Sequence, residues 1–219
     1  MVADRAGEIP MLAMSHPKIQ YAWMWSNDVG YGRKANYAIN LTRGKYIWLL
    51  NDDVFVGPGC GQRLIEVLES DRQIGMVGHE LRYPDGTLQH GGTCRLPGAL
   101  AYTHMDTKLL ESRIKEPVEM ENVTGASIMM RRRAFEDAGG FFEDYHMYLE
   151  DQHLCLAMRR KGWKIFYTPH AKAVHLEHAS LRERPGMTDK IRHSWTTFQK
   201  HWSWYFKKNE GNPGMGVFE

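Results

Sequence analysis

Short apolar runs alternate with glycine, proline and polar turns along the chain, and they predict alternating strands and helices. The clearest run lies in the segment 44–53, where large apolar residues precede Asn51, Asp52 and Asp53. The run is short for a helix and rich in strand formers, so it predicts a strand that is buried on both faces and central in a parallel sheet. Open α/β sheets bind ligands at the carboxyl ends of such strands, where the two carboxylates lie.

Periodicity elsewhere in the chain fits the same α/β arrangement. Helical spacing predicts helices over residues 33–42, 62–69, 132–138 and 150–161. Strand-like runs lie at residues 19–25, 74–77, 123–130, 163–168 and 171–175. Turn signals rich in glycine and histidine predict short hairpin strands within residues 79–105.

The segment 187–208 predicts an amphipathic C-terminal helix. The apolar residues near helical spacing in it are Ile191, Trp195, Phe198 and Trp202. This stripe is expected to dock on the core, which is the simplest role for it. A second hypothesis is contact with a membrane surface or a lipid acceptor. The basic residues that favour it are Lys200, Lys207 and Lys208.

Composition narrows the class of protein. The chain has 219 residues, of which 42% are hydrophobic and 25% charged, as in ordinary soluble globular proteins. A net charge of +2 gives no electrostatic reason to expect a nucleic-acid partner. The three cysteines are far apart and form no CxxC pair, which favours a reducing compartment. With no apolar run of membrane-spanning length and no signal-peptide pattern, a cytoplasmic protein is expected.

Asp52 and Asp53 are the first candidates for chemistry. Two adjacent carboxylates repel each other unless a cation lies between them, and a divalent metal that carries phosphate oxygens would serve. Their oxygens are the hard ligands that Mg²⁺ or Mn²⁺ prefers. The alternative is a helix cap or a turn, because aspartate is common in both.

Three other segments carry polar residues in suggestive places. The turn 27–36 opens a helix, so its amides and Arg33 could hold an anion such as a diphosphate, although an ordinary glycine turn looks the same. Glu150 and Asp151 begin a later helix, whose dipole favours ionised carboxylates, and such acids are also common without a function. Near the end of the last predicted strand, the segment 174–178 places two imidazoles beside a carboxylate.

The order and spacing of these segments resemble the family 2 glycosyltransferases of the GT-A type, which are inverting and use nucleotide sugars. The resemblance covers residues 20–182, and the series of motifs carries it rather than any single one. The matching stretches are residues 27–36, 44–56, 83–92, 123–132, Phe135, 139–141, 150–155, 162–164 and 174–180. The resemblance implies a Rossmann-like, mostly parallel sheet flanked by helices.

The resemblance also implies roles for individual residues. The implied metal-site residues are Asp53, on the donor diphosphate, and His175, which closes on the metal or the diphosphate. The implied catalytic residues are Asp151 as the base and Glu150 as its neighbour. The implied donor-site residues are Asp52 near the ribose, Gly125 and Ala126 beside the sugar, and Asn27, Gly30 and Asn36 near the nucleotide.

One departure from the family pattern concerns the start of the chain. Members usually begin with a buried strand and a turn, followed by a second strand whose terminal aspartate helps to read the base. In this sequence Asp4 is the residue that resembles this aspartate. Two interpretations are open: the sequence is a truncated product, or it is a compact variant in which a partner chain fills the gap. An open sheet edge would favour pairing with a partner or a homo-oligomer.

The sequence therefore predicts a catalytic domain over residues 1–182 and a helical extension over residues 183–219. The expected activity is metal-dependent transfer of a sugar, with inversion, from a nucleotide-diphosphate sugar to a glycan, lipid-linked or protein hydroxyl. The expected cofactor is Mn²⁺ or Mg²⁺. One alternative is a non-catalytic binding module with the same fold. A nucleotidyltransferase is another, although it would ordinarily show a basic, glycine-rich loop near its start.

Overall fold

The fold is taken from a computed structural model, which describes residues 29–95, 102–104, 114–177 and 186–209. The helices in these ranges are α1 Tyr31–Asn40, α2 Cys60–Ser70, α3 Arg132–Asp137, α4 Glu150–Arg160 and α5 Met187–Lys208. The strands in these ranges are β1 Tyr46–Leu50, β2 Val54–Val56, β3 Ile74–Arg82, β4 Leu88–His90, β5 Thr93–Arg95, β6 Tyr102–His104, β7 Val118–Met120, β8 Ser127–Arg131 and β9 Lys164–His175. The predicted strand at residues 19–25 lies outside the described residues.

The main sheet has the strand order β1-β8-β3-β9-β2, with β4 paired to β3 and β7 paired to β9. Among the described pairings, β3 and β9 are parallel and the others are antiparallel. The expected GT-A-like α/β fold is confirmed, but the described sheet is mixed rather than mostly parallel. Because β8 runs antiparallel between β1 and β3, the strands β1, β3 and β9 still end at one edge.

Strand β1 differs from its prediction as a doubly buried strand with parallel neighbours. Its only partner among the described strands is β8, and its burial is partial, with Ile47 buried and Leu50 exposed. An apolar run shows that a segment meets the core, but it carries no information about the direction or number of its neighbours. That explains why the prediction of a parallel neighbour for β1 is wrong for its described partner β8.

Strand β9 joins two segments that the sequence presents as separate strands. Along β3, Thr168 pairs with His79, but the next pair is Lys172 with Glu80, so three residues of β9 are skipped. Pro169 lies in this irregularity, where its missing N–H leaves no ladder bond unmade. The second half of β9 then continues to His175 and pairs with β2.

The sheet is covered by helices on both faces. Alternate residues of β3 and β8 belong to different clusters: Met76 and Met130 pack with α1, α3 and α4, whereas Val77 and Met129 pack with α2. This alternation is the period of two expected of a strand. The result is a three-layer α/β core whose polar edge is formed by the ends of β1, β3 and β9.

Helix α5 docks through a third cluster, as the aromatic stripe predicts. Phe198, Trp202 and Phe206 are buried against Tyr145 and residues of α4. Trp195, which was expected in the same stripe, is 37% exposed, because the docked face is narrower than the aromatic pattern suggests. None of the helices in the described ranges has the length and apolar character needed to cross a bilayer.

Candidate active site

The sheet edge at the ends of β1 and β9 brings the predicted site segments together. The Asn51 N–H, just past β1, donates to the Ala126 carbonyl at 2.9 Å. The residue before Ala126 contacts the other segment, since the Gly125 N–H donates to the Asp151 carboxylate at 2.8 Å. The Gly125-Ala126 segment therefore lies between the loop that carries Asp53 and the helix that carries Asp151.

Asp53 and His175 meet because strand β2 pairs with the end of β9. Val54 is the register partner of His175, and the Leu176 N–H donates to the Asp53 carbonyl at 3.1 Å. His175 Nε2 lies 3.1 Å from Asp53 Oδ1, and the two side chains are 10% and 13% exposed. Asp52, the neighbouring acid, is exposed.

A hydrogen-bond network behind His175 involves residues to which the sequence reasoning assigned no role. Gln89 Oε1 lies 2.6 Å from His175 Nδ1, and the Gln89 amide donates to the His175 carbonyl at 3.3 Å. The same amide donates to Glu177 at 3.2 Å, and the Tyr83 hydroxyl donates to that carboxylate at 2.5 Å. The only sequence signal for Tyr83 and Gln89 is that both lie in the resembling stretch 83–92.

Asp151 and Glu150 begin helix α4, but their carboxylates have different partners. Asp151 accepts hydrogen bonds from the backbone N–H groups of Gly125 and Gln152, at 2.8 and 2.7 Å. Glu150 Oε2 is buried and has no hydrogen-bond partner. Two backbone bonds stabilise an ionised carboxylate, so Asp151 is the better carrier of the charge.

Burial makes this pair of acids more basic than a solvent-exposed pair. Burial, reinforced by the neighbouring Asp151, raises the pKa of Glu150 to about 8. Burial also raises the pKa of Asp151, against the lowering effect of its backbone hydrogen bonds. The sequence predicts that the helix N-terminus favours an ionised Asp151. Burial opposes this effect by raising the pKa of the carboxyl, whereas the backbone hydrogen bonds act in the direction that the sequence predicts.

Backbone strain is concentrated beside these residues. Among the described non-glycine residues, those with positive φ are Tyr148 at 63°, Leu149 at 71° and Glu177 at 50°. The first two immediately precede the two acids of α4, and the third follows His175 by two positions. Left-handed backbone at such residues costs on the order of 1–3 kcal/mol and is typical of functional sites.

Gly125 has a steric reason to be glycine. A Cβ at this position would lie 3.0 Å from the Asp151 Cβ and 3.3 Å from its Oδ2. The absent side chain lets the backbone amide reach the carboxylate and leaves the space beside it open. Ala126 is buried with Leu81 and Ala173, so it anchors this segment to the sheet.

Helix α1 places the other predicted donor residues next to the loop before α4. A Cβ on Gly30 would lie 1.9 Å from the Tyr145 carbonyl oxygen, so close packing accounts for this glycine. Arg33 bonds Glu143 at 2.9 Å, and Asn36 also donates to Glu143, at 3.0 Å. The roles of these three residues in donor binding stay predictions.

The N-terminal end of α1 also reaches the acids of α4. Burial, together with the charges of Glu150 and Asp151, raises the pKa of Tyr31. Two further donor residues predicted from the sequence, Asp4 and Asn27, lie outside the described residues.

His104 connects the two halves of the site. Its Nδ1 lies 2.9 Å from Nδ1 of the buried His90, the residue after Gln89. Burial lowers the pKa of His104, whereas the charges of Glu177 and Asp151 raise it. His104 is therefore close enough to feel the charges of both Glu177, after β9, and Asp151, at the start of α4.

Asp53 and His175 provide only two protein ligands for a cation. Within the described ranges, no group of three or more histidine, cysteine, aspartate or glutamate side chains is arranged to hold a metal ion. A cation bound here would need further ligands from a substrate or from water, as is usual for Mg²⁺.

Comparison with known proteins identifies relatives of this chain. It is 29% identical over 167 residues to the O-antigen biosynthesis protein RfbC of Myxococcus xanthus, a match that covers 72% of this chain and 13% of that protein. It is 27% identical over 175 residues to the N-acetylglucosaminyl-diphospho-decaprenol L-rhamnosyltransferase of Mycobacterium tuberculosis, covering 73% and 57%. The chain thus spans less than two thirds of the length of either relative.

Solved structures share the fold at low sequence identity. The structure of GalNAc-T7 with UDP, GalNAc and Mn²⁺ has a TM-score of 0.60 and 14% identity, and the match covers 89% of this chain and 41% of that one. The mannosyltransferase PcManGT from Pyrobaculum calidifontis, in complex with GDP-Man and Mn²⁺, has a TM-score of 0.56 and 15% identity, covering 89% and 49%.

The sequence profile described as glycosyltransferase like family 2 matches residues 12–208. This range includes Asp53, Gly125, Asp151 and His175, which the fold brings to one edge of the sheet. Because the match extends over most of the chain, the protein belongs to the family 2 glycosyltransferases.

Proposed function

We propose that this chain transfers a sugar from a nucleotide-diphosphate donor to a hydroxyl acceptor, with a divalent metal and with inversion. The observation that carries the proposal is the arrangement at the sheet edge. Asp53 and His175 lie on one side of the Gly125-Ala126 segment, and Asp151 lies on the other. One side offers ligands for a metal-bound diphosphate, and the other offers a base for the acceptor.

Asp53 and His175 suit Mn²⁺ or Mg²⁺ by chemistry and by spacing. A carboxylate oxygen is an ordinary ligand for both ions, whereas an imidazole nitrogen is a better ligand for Mn²⁺ than for the harder Mg²⁺. Adjacent octahedral ligands at about 2.1 Å from an ion lie about 3 Å from each other, close to the 3.1 Å between Asp53 Oδ1 and His175 Nε2. A bound metal would stabilise the negative charge that develops on the departing diphosphate.

Asp151 is the proposed base for the acceptor hydroxyl. Its raised pKa favours proton uptake, and its hydrogen bond from Gly125 fixes the direction of the carboxylate. The small Gly125 would let the donor sugar approach that carboxylate. Inversion follows if the hydroxyl displaces the nucleotide diphosphate in a single step, with Asp151 receiving the proton.

The relatives suggest the classes of donor and acceptor. The two structural neighbours were solved with UDP and with GDP-Man, and one relative is named for a diphospho-decaprenol acceptor. We propose a nucleotide-diphosphate sugar as the donor and a glycan or lipid-linked glycan as the acceptor. A lipid-linked acceptor would also require this chain to work at a membrane surface.

A direct test of donor binding is a screen of nucleotide sugars with Mn²⁺ and Mg²⁺, read by thermal shift and by released nucleotide diphosphate. A ligand that binds only the folded state raises the melting temperature. For a donor found in this way, Asp53→Ala is expected to weaken metal-dependent binding by tenfold or more, whereas Asp189→Ala, an exposed change on α5, should not. Equal affinity of the Asp53 variant and the wild type, measured by calorimetry, would reject the ligand role.

The same donor allows the base to be tested separately. Asp151→Asn is expected to keep donor affinity and to lower the rate of transfer or donor hydrolysis about 10²–10⁴-fold, because the amide cannot accept the proton. Turnover near the wild-type rate would place the base elsewhere. Binding without turnover for every donor in the wild type would instead favour the non-catalytic module.

A further inference from the structure

The orientation of the Gln89 side chain is determined by its surroundings. Its amide nitrogen lies 3.3 Å from the His175 carbonyl oxygen and 3.2 Å from Glu177 Oε2. A carbonyl can only accept, and this carboxylate already accepts from the Tyr83 hydroxyl. The Gln89 NH₂ group must therefore face these two oxygens, and its own oxygen must face the ring of His175.

This orientation selects one tautomer of the His175 ring. Gln89 Oε1 is an acceptor 2.6 Å from His175 Nδ1, so Nδ1 must carry the proton that forms this hydrogen bond. In the neutral ring, Nε2 then has a lone pair and no proton. Which ring nitrogen carries the proton is thus set by Gln89, a residue 86 positions away in sequence.

The selected tautomer places two acceptors against each other. His175 Nε2 lies 3.1 Å from Asp53 Oδ1, which is an ordinary hydrogen-bond distance. With a neutral ring and an ionised carboxylate, however, neither of these two atoms carries a proton. A metal ion bound to both atoms removes this conflict, as does a second proton on the ring at a pH where the ring is charged. With the opposite tautomer, the Nε2–H group would donate to Asp53, and the two ligands would satisfy each other.

We propose that Gln89 is a positioning residue that keeps His175 Nε2 and Asp53 available for a divalent cation. This inference rests on the metal site of the proposed function and adds the group that prevents that site from closing on itself. Glu177, held by Tyr83, supports Gln89 in turn. In metal-binding histidines generally, the ring nitrogen that does not bind the metal is held by a hydrogen-bond partner, and Gln89 has this position toward His175 Nδ1.

The first experiment reads the tautomer without any metal. Long-range ¹H–¹⁵N NMR on ¹⁵N-labelled protein, at a pH where the ring is neutral, is expected to show the Nδ1–H form of His175 in the wild type. Resonances are assigned by their loss in His175→Gln. In Gln89→Leu the proton is expected to move to Nε2, where it bonds Asp53. Retention of the Nδ1–H form in Gln89→Leu would overturn the proposal.

The second experiment measures Mn²⁺ affinity by calorimetry with UDP or GDP present. Gln89→Leu is expected to weaken Mn²⁺ binding about 10–100-fold. Gln62→Leu, the same change on the exposed face of α2, is the matched control and should bind as the wild type does.

The two experiments distinguish the metal site of Asp53 and His175 from the positioning role of Gln89. If Asp53→Ala weakens Mn²⁺ binding and Gln89→Leu does not, the metal site stands and the positioning role of Gln89 is rejected. If neither Asp53→Ala nor His175→Gln changes Mn²⁺ binding, the metal site itself is rejected, and the proposal for Gln89 is overturned with it. A folded Gln89→Leu variant with the Nε2–H tautomer and weakened Mn²⁺ binding supports both.

Discussion

Glu150 and Asp151 are neighbours in sequence and share the start of one helix, yet they meet different local conditions. Asp151 receives two backbone N–H groups, whereas one oxygen of Glu150 is buried without a partner. Two like charges this close are unfavourable together in a buried site, so one proton tends to stay with the pair. Glu150 is the group that holds it, which leaves the charge on Asp151.

This asymmetry predicts a pH-dependent stability. The pKa of Glu150 is raised from 4.5 to about 8, so folding favours its protonated form. The contribution of Glu150 to the free energy of unfolding should therefore be largest below about pH 4.5, where the group is protonated in both the folded and the unfolded state. This contribution should fall as the pH rises toward 8, because the unfolded state loses the proton first. Glu150→Gln, which mimics the protonated form, should remove this decline and be more stable than the wild type by roughly a few kcal/mol above pH 8.

Urea unfolding across this pH range measures the effect. Glu66→Gln, the same substitution on the exposed face of α2, controls for the loss of one charge. If Glu150→Gln and the wild type lose stability in parallel as the pH rises, Glu150 does not hold the proton.

At the scale of elements, α5 is held by residues spaced four apart. Phe198, Trp202 and Phe206 occupy one face of the helix and are buried against α4 and Tyr145. The Trp202 Nε1–H also donates to His153 Nδ1 at 3.1 Å, so the indole is buried with its polar atom paired. Helix α5 is therefore part of the folded core beside α4 and not an independent appendage.

This packing predicts the effect of removing one indole. Trp202→Ala should lower the free energy of unfolding by about 3–5 kcal/mol, because it leaves a cavity and removes one of the two hydrogen-bond partners of His153 Nδ1. Trp195→Ala is the matched control, since Trp195 lies on the same helix and is 37% exposed, and it should cost much less. Chemical denaturation of both variants tests this; equal losses would show that the two faces of α5 are equally packed.

At the scale of the whole molecule, the small net charge conceals an uneven surface on α5. Its exposed basic residues are Arg192, Lys200, Lys207 and Lys208. Trp204, which is 47% exposed, lies near Lys208 and under the Arg160 guanidinium at 5.8 Å. Basic side chains are attracted to an anionic membrane surface, and an exposed tryptophan next to them would favour the same contact.

We expect this face to bind vesicles that contain anionic lipid. Co-sedimentation should detect binding to phosphatidylglycerol vesicles that weakens with added salt, and little binding to phosphatidylcholine vesicles. The double variant Lys207→Glu with Lys208→Glu should reduce binding at least tenfold, at about 1 kcal/mol per basic residue lost. Arg63→Glu with Arg72→Glu makes the same charge change elsewhere. Equal loss in both double variants would point to net charge rather than to α5.

The sequence located most of the elements and the residues at their ends. The period of α5 predicted Met187–Lys208, and Glu150 begins α4 as expected. These predictions succeed because helical periodicity and capping are local properties of the chain. The same local signals failed for the antiparallel pairing of β1 with β8, because that direction is set by hydrogen bonds to residues distant in sequence. They also failed to show that two predicted strands join into β9.

The amino-acid sequence by itself determined which acids follow which strands and helices, and the order of motifs determined the family. Only the tertiary structure decided that Asp53 faces His175, that Gln89 fixes the ring of that histidine, and that burial makes Asp151 more basic. The physical reason is the range of the interactions. Periodicity records which side of an element meets the core, whereas a tautomer or a pKa depends on partners and on solvent exclusion that arise only when distant segments pack together.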